Sequence, residues 1–486
     1  MRKIYPTELI DFLQCRHKAY LKKQGVKGEE FLSEEVEMLR KKGLEHEKAF
    51  LESLEDVVKI DPEATLEEQS RQTREAMENG AGFIYQAFLE NDILAGYPDF
   101  LEKVEKPSAL GDFSYRILDT KLSNTPTAAN AVQLIHYSQI AEQIQNTPVD
   151  ELLIIHGDQT RSKIDKSDYK EYYDELLNEY RTFINGSEHT EPYPVPACKN
   201  CEFQRQCEEY WTEKDHLARI NGIKPYQIAR LHEAEIADIL ALLEIDWTEK
   251  TALSLSSFSD LKMQALAQKN GEIRIKNKQG FEALQEYRSG GVLLTFFRQF
   301  DSRGSADSFY SALKIFPGDR FEEVFIENAS EEAEAFHRIV NFVVRYRQKR
   351  PMAHLFVWSL KDIKFLHDLS NKYNLCHDEI DELILNKKIV AVQSLLSNAF
   401  YLPVADHSLQ SMMNVCSSGD EKLEILKKSP VLLSELLRSA GVESAGAMIS
   451  KRARAELEAI EKLFCKLCEY EITQFPLKLC KGNIDS

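Results

Sequence analysis

No stretch of this 486-residue chain stays apolar for long enough to span a bilayer. The opening residues, Met1-Arg2-Lys3-Ile4-Tyr5-Pro6, lack the apolar core of a secretory signal. A cytoplasmic protein with no membrane partner is expected. No Gly-x4-Gly-Lys-Ser/Thr loop is present, so the chain has no ATP motor and any unwinding must come from a partner. A surplus of positive charge is missing too: 61 Lys and Arg stand against 79 Asp and Glu, a net charge of −18. That argues against a protein that coats nucleic acid by bulk electrostatics, though not against one with a local basic channel. Candidates for such a channel are Arg16, His17, Lys18, Lys22, Lys23 and Lys27, with Arg40, Lys41 and Lys42. The alternative is that these are solvated helix faces. Nine cysteines in a cytosolic chain do not predict a disulfide framework, so their spacing matters more than their number.

What is present is ordinary globular composition, 43% hydrophobic and 29% charged. The length suits about two to four domains. Residues 5–24 read as one amphipathic helix with Cys15 in its middle, 34–54 as a second, and 66–79 as a third closed by Asn79-Gly80. Strands are expected over Phe83–Leu89, Ile93–Val104 and Phe113–Leu122, then a helix over Ala128–Gln145 and a buried strand over Glu151–His156. That order predicts a mixed α/β sheet.

The chemistry concentrates between Gly96 and Tyr137. Asp99 falls beside the second strand. Asp119 and Lys121 share one face of the third, because strand side chains alternate. Gln133 and Tyr137 are four apart and share a helix face. Carboxylates are hard ligands for Mg2+ or Mn2+. A divalent ion lowers the pKa of water and neutralises phosphate charge, and a lysine beside the acids stabilises the charge that develops. His46-Glu47 invites a zinc-protease reading, but Phe50 stands where the second histidine would be needed.

The ordered set Gly43-x-x-His46, Gly96-x-x-Asp99, Asp119-x-Lys121 and Gln133-x-x-x-Tyr137 resembles the RecB-like branch of the PD-(D/E)XK nuclease superfamily. It looks closest to the CRISPR-associated exonucleases of that branch and to a group of bacterial RecB-like nucleases, over roughly residues 5–245. The resemblance implies that His46, Asp99 and Asp119 bind the metal with help from the Thr120 carbonyl. It makes Lys121 the catalytic lysine, and Gln133 and Tyr137 positioning groups. The substrate implied is DNA, as single strands or ends, in repair, recombination or defence, with a helicase or other subunit in trans.

Cys198, Cys201 and Cys207 follow a Cys-x2-Cys-x5-Cys spacing in a proline-rich loop, which points to metal ligation. Cys15 is the natural fourth ligand. Spacing alone barely separates zinc from an iron–sulfur cluster. In the family resembled, one cysteine before the nuclease core and three after it hold a [4Fe–4S] cluster, so the cluster is expected, with zinc the lesser alternative. It would staple the first helix to the domain's end across about 180 residues.

Domain boundaries are expected at 1–212 for the nuclease domain, 213–285 for a helical connector, 286–417 for a second α/β domain and 418–486 for a helical tail. The runs Val292–Phe297, Phe309–Phe316 and 324–326, a helix at 330–346 and a strand at 354–358 resemble the ribonuclease H-like exonuclease domain that follows the RecB-like nuclease in the same bacterial group. Its acids are eroded. The first strand reads Leu294-Thr295-Phe296-Phe297, a later position Val392-Gln393-Ser394, and Asp362 is the surviving acid. A two-metal site needs several acids, so this domain is expected to be catalytically dead. Cys465-x2-Cys468 with Cys480 reads as incidental. A non-enzymatic nucleic-acid-binding or assembly subunit is the second function class.

Overall fold

A computed structural model describes residues 2–29, 34–123, 125–157, 159–300, 306–326, 331–416, 426 and 442–468. No helix among them is long and apolar enough to cross a membrane. The chain divides into two compact units, one of Met1–Cys207 and one of Glu208–Gln299 with Ala306–Ser486.

The first unit opens with helices α1 (Pro6–Gln14), α2 (Arg16–Lys23) and α3 (Glu34–Glu52), then β1 (Val57–Lys59) and α4 (Leu66–Glu78). Strands β2 (Phe83–Tyr85), β3 (Leu89–Glu90), β4 (Ala95–Gly96), β5 (Phe100–Val104) and β6 (Ser114–Lys121) lead to helix α5 (Ala128–Gln145). Strands β7 (Leu152–His156) and β8 (Arg161–Ile164) precede α6 (Lys166–Asn185). Six strands form one sheet in the order β1-β2-β5-β6-β7-β8, while β3 and β4 make a separate ribbon. β1 runs parallel to β2 and β6 to β7; the other pairings are antiparallel.

Both faces of this sheet are covered. Side chains alternate along β6, sending Ile117 into one core with α1, α5 and α6, and Leu118 into another with Phe50 of α3 and Phe100. Strand β7 therefore reads as an unbroken apolar run, as strands covered on both sides do. Helix α5 is buried around most of its circumference, from Ala131 to Ala141, and starts on a Thr127 cap.

Several expected elements are interrupted. The single helix over 5–24 is two helices, because Cys15 is extended (φ −161°, ψ 108°) and caps α2 by accepting from Lys18 N at 3.4 Å. The strand over Phe83–Leu89 stops at Tyr85, since Gln86 is left-handed (φ 52°). The run Ile93–Val104 is split around Tyr97-Pro98, where proline offers no ladder N–H. Strands β1 and β8 and helix α6 were not anticipated.

The Cys loop contains a 3-10 turn, Pro196–Asn200, and helix α7 (Gln204–Glu213), within which the division between units falls. The second unit continues with α8 (Pro225–Glu233), α9 (Ile239–Glu244), α10 (Leu255–Asn270), β9 (Arg274–Ile275) and α11 (Lys278–Glu286). Then come β10 (Gly291–Phe300), β11 (Ala306–Phe316), β12 (Phe321–Ile326), α12 (Glu332–Lys349) and β13 (His354–Val357). The chain goes on through α13 (Leu360–Tyr373), α14 (His377–Leu385), β14 (Ile389–Ala391), α15 (Val392–Ala399), β15 (Phe400–Tyr401), α16 (Leu409–Cys416) and α17 (Val442–Cys468). Five strands form a sheet in the order β12-β11-β10-β13-β14, with β13 parallel to both β10 and β14. Val292 and Leu294 pack with α12 and α13 on one face, and Leu293 packs with Phe281, Ile460 and Phe464 on the other. Phe281 and Leu284, expected in a connector, are thus core residues of this unit, as is α17, expected in a tail.

Candidate active site

Strand register brings the two aspartates together. Phe100 of β5 pairs with Leu118 of β6, so one step further along the antiparallel ladder Asp99 lies opposite Asp119. Opposed residues of such a ladder present side chains to the same face. Thr120 holds Asp99 in place: its backbone N and its Oγ1 both donate to Asp99 Oδ2 at 2.8 Å. Two residues beyond Asp119, Lys121 returns to the same face and its Nζ sits against Asp119 Oδ2. Asp119 is fully buried, while the Lys121 side chain is 29% exposed.

The electrostatics follow from that crowding. Burial first, and then Asp99, push the Asp119 carboxyl well above the usual carboxylate range; Lys121 opposes the rise. Burial pulls the Lys121 ammonium down, but Asp119, Asp99 and Glu47 outweigh it and hold the group above its ordinary value. Asp119 Oδ1 is buried and has no hydrogen-bond donor among the described residues.

Glu47 is the residue that sequence reasoning passed over. Tyr85 and Gln86 at the end of β2 hold its carboxyl, with Gln86 Nε2 donating to Oε1 at 2.6 Å. Burial and then the charge of Asp99 raise its pKa, and Lys121 counters. Gln86 also donates its backbone N to the Asp99 carbonyl at 2.9 Å, tying α3 to β5. His46, one residue earlier, turns elsewhere. Its Nε2 donates to the Ile155 carbonyl of β7 at 3.1 Å, and its Nδ1 faces the Gln159 side-chain amide at 3.4 Å. The ring that the resemblance assigns to a metal is engaged at both nitrogens. The signal that could have found Glu47 was its place beside His46 on a helix aimed at the paired acids.

Gln133 and Tyr137 meet on α5, Gln133 Nε2 donating to the Tyr137 hydroxyl at 3.1 Å. The Tyr137 phenol is raised by burial, with Gln133 opposing and the charges of Asp119 and Asp99 adding. Gly96 makes room for the ring, since a Cβ there would stand 2.5 Å from Tyr137 Cε1. This gives the glycine of Gly96-x-x-Asp99 a steric reason.

Glu47, Asp99 and Asp119 face one lysine, so the ionised cluster carries a surplus of two negative charges, which suits one divalent cation. Among the described residues no group of three or more His, Cys, Asp or Glu side chains forms a preformed metal cage. Mg2+ does not require one; it usually takes one or two carboxylates, substrate phosphate oxygens and several waters. The oxygen donors and the unpaired Asp119 Oδ1 fit such an ion.

The cysteines adopt a different pattern. Cys15 and Cys201 are near enough to interact electrostatically. Backbone N–H groups point at the sulfurs: Lys18 N at Cys15, Val195 N at Cys198 (3.4 Å) and Phe203 N at Cys201 (3.5 Å). Burial raises the Cys15 thiol, while the Lys18 and His17 N–H groups lower it and Cys201 adds to the rise. The chain after α2 joins this loop through Glu29 N donating to the Glu202 carbonyl at 2.8 Å.

The expected basic channel is not assembled from α2. Arg16 pairs with Glu179 at 2.7 Å and Glu188 at 3.7 Å; Lys18 and Lys22 pair with Asp11 at 2.7 Å and with Glu202; Lys23 donates to the carbonyls of Phe183 and Gly186. These cations stitch α2 to α6 and to the Cys loop.

In the second unit a small polar centre contains an acid that sequence reasoning missed. Thr295 of β10 donates to Glu456 of α17 at 2.6 Å, and Glu456 feels the charges of Arg452 and Asp362. Asp362 itself is held by Ser359 N at 2.7 Å. Cys465 is exposed and Cys468 buried; Cys480 lies outside the described residues.

Comparison with known proteins agrees with the geometry of the first unit. No curated protein matches the chain. Residues 9–208 match the family model of the PD-(D/E)XK nuclease superfamily, a stretch that contains Glu47, Asp99, Asp119, Lys121, Gln133 and Tyr137. Residues 9–208 are therefore a PD-(D/E)XK nuclease superfamily domain.

Proposed function

We propose that the first unit is a metal-dependent deoxyribonuclease of the RecB-like kind, cutting single strands or DNA ends in repair, recombination or defence against foreign DNA. The observation that carries this reading is the partly exposed Lys121 ammonium set among Glu47, Asp99 and the buried Asp119. A structural ion pair has no use for three crowded carboxylates, since desolvating them costs more than one lysine returns.

In this reading Asp99 and Asp119 hold Mg2+ or Mn2+, with the Thr120 carbonyl as a further oxygen and Glu47 supplying the remaining charge. A bound divalent ion would supply Lewis acidity and charge neutralisation. Lys121 orients the attacking water and stabilises the negative charge that builds on the phosphate as its P–O bond breaks. Gln133 and Tyr137 fix the substrate backbone against α5. His46, bonded to β7, sets the pitch of α3 so that Glu47 reaches the site.

Cys15, Cys198, Cys201 and Cys207 are proposed to hold a [4Fe–4S] cluster, with zinc as the lesser alternative. The N–H groups aimed at three of the sulfurs support ligation, because such donors stabilise thiolate charge. Anaerobically purified protein is expected to be brown and to contain iron. Colourless protein with one tightly held zinc would overturn the cluster and leave the nuclease site untouched.

The second unit is proposed to be a catalytically silent ribonuclease H-like domain. Its strand order supports the fold. Thr295 at the first-strand position and Arg452 beside Glu456 support the silence, because an internal cation offsets the acids that remain.

A second reading, an assembly subunit in a helicase–nuclease or defence complex that binds without cutting, is favoured by the pairing of Arg16, Lys18 and Lys22 within the chain. Digestion of labelled single- and double-stranded DNA with Mg2+, Mn2+ or EDTA separates the two. Cutting that needs metal and falls at least about a hundredfold in Lys121→Ala is expected; binding without cutting would favour the assembly role.

A further inference from the structure

Val36, Arg40, Gly43 and Glu47 succeed one another on α3 at steps of three and four residues, so they lie along one flank of the helix. Glu47 closes that flank at the active site. Gly43 stands about 6 Å and Arg40 about 10 Å further up the axis. Large apolar side chains on the upper part of the helix are exposed, Leu39 at 49% and Leu44 at 58%.

Gly43 is unexplained by the fold. Glycine is the poorest helix former after proline, and it sits in mid-helix. Its φ is not positive, and a Cβ there would meet nothing within 4 Å among the described residues. Gly96 makes a useful contrast, because there the Tyr137 ring requires the missing side chain. The open space at Gly43 lies one helical turn from Glu47, on the same flank. Arg40 is exposed and makes no ion pair among the described residues, unlike Arg16, Lys18 and Lys22.

We infer that this flank of α3 is the wall along which a single polynucleotide strand runs from the active site, with Gly43 admitting the sugar–phosphate backbone and Arg40 binding a phosphate next to the scissile one. The inference rests on the nuclease reading and adds a path and a positioning residue to it. A strand has the right chemistry for the flank. It offers a phosphate to the exposed guanidinium, and it needs close approach where the helix lacks a side chain. Lys48, about 100° round the helix from this flank and paired with Glu52 at 3.8 Å, lies off this path.

The test uses the full chain carrying Lys121→Ala, so that binding is read without cutting, and a fluorescent single-stranded DNA titrated over a range of salt. Adding Arg40→Gln is expected to weaken binding about fivefold and to reduce the salt slope by about 0.7, the value of one phosphate contact on a single strand. Adding Gly43→Ala is expected to weaken binding about tenfold while raising the thermal midpoint, which rules out misfolding as the cause. Lys48→Gln, which removes the same charge from off the flank, serves as the control. In the cutting-competent chain, Arg40→Gln is expected to raise KM and leave kcat within about twofold. If Arg40→Gln behaves as Lys48→Gln does, or if Gly43→Ala binds as tightly as its parent, the path is wrong. Cutting by the wild-type chain alongside either result would overturn the path and spare the nuclease reading. Failure of the wild-type chain to bind any strand would overturn both.

Discussion

His136 shows how a residue inside a functional segment can be purely structural. It lies between the site residues Gln133 and Tyr137, yet it is fully buried. Its Nε2 donates to the Ala95 carbonyl at 3.1 Å and its Nδ1 accepts from the Tyr173 hydroxyl at 2.9 Å. Burial lowers its pKa to about 4, so the folded protein keeps it neutral. The unfolded chain binds that proton more readily. The stability this residue lends is therefore complete above about pH 6.5 and is lost as pH falls towards about 4, by about 3 kcal/mol. Urea denaturation across that range is expected to show the loss, and His136→Gln to flatten it. The same scale explains what could be read in advance. Asp119 and Lys121 were legible because strand period two forces them to one face. Glu47 was not, because neighbouring residues on a helix point about 100° apart and only the docked position of α3 decides which one meets the acids.

Among the elements, α5 and β7 were the most legible, α5 by its length and Thr127 cap and β7 by its apolar run Leu152–Ile155. The break between α1 and α2 was not, because the amphipathic period continues across Cys15 and only the sulfur's capping role interrupts it. The ends of β2 and β4 depended on Gln86 and Pro98, single residues within runs that otherwise look extended. The contact between β4 and α5 gives this scale its prediction. Gly96→Ala is expected to destabilise the first unit by about 1–3 kcal/mol, because the new methyl must displace the Tyr137 ring and crowds the Pro6 ring. Thermal unfolding measures that cost. Cutting should fall along with it, since the ring that moves is the one Gln133 holds beside the acids.

At the scale of the molecule, two α/β units follow one another and differ in how their polar centres are balanced. In the first, three carboxylates face a single lysine. In the second, Glu456 has Arg452 beside it and Thr295 as a donor. Strands β2, β5, β6 and β7 of the first sheet and β10 to β13 of the second were visible in the sequence; β1, β8 and β14 were not. The membership of α11 and α17 in the second core was not, because Phe281, Ile460 and Phe464 sit in charged surroundings that read as connector and tail. The central claim is that the chain holds one catalytic hard cation, in the first unit, and none in the second. Titration of the full chain with Mn2+, followed by electron paramagnetic resonance, tests it most directly. One tightly bound ion per chain is expected, abolished by Asp119→Asn and kept or tightened by Lys121→Ala, which removes the competing ammonium. Absence of tight binding, or an ion that survives Asp119→Asn, would contradict the account.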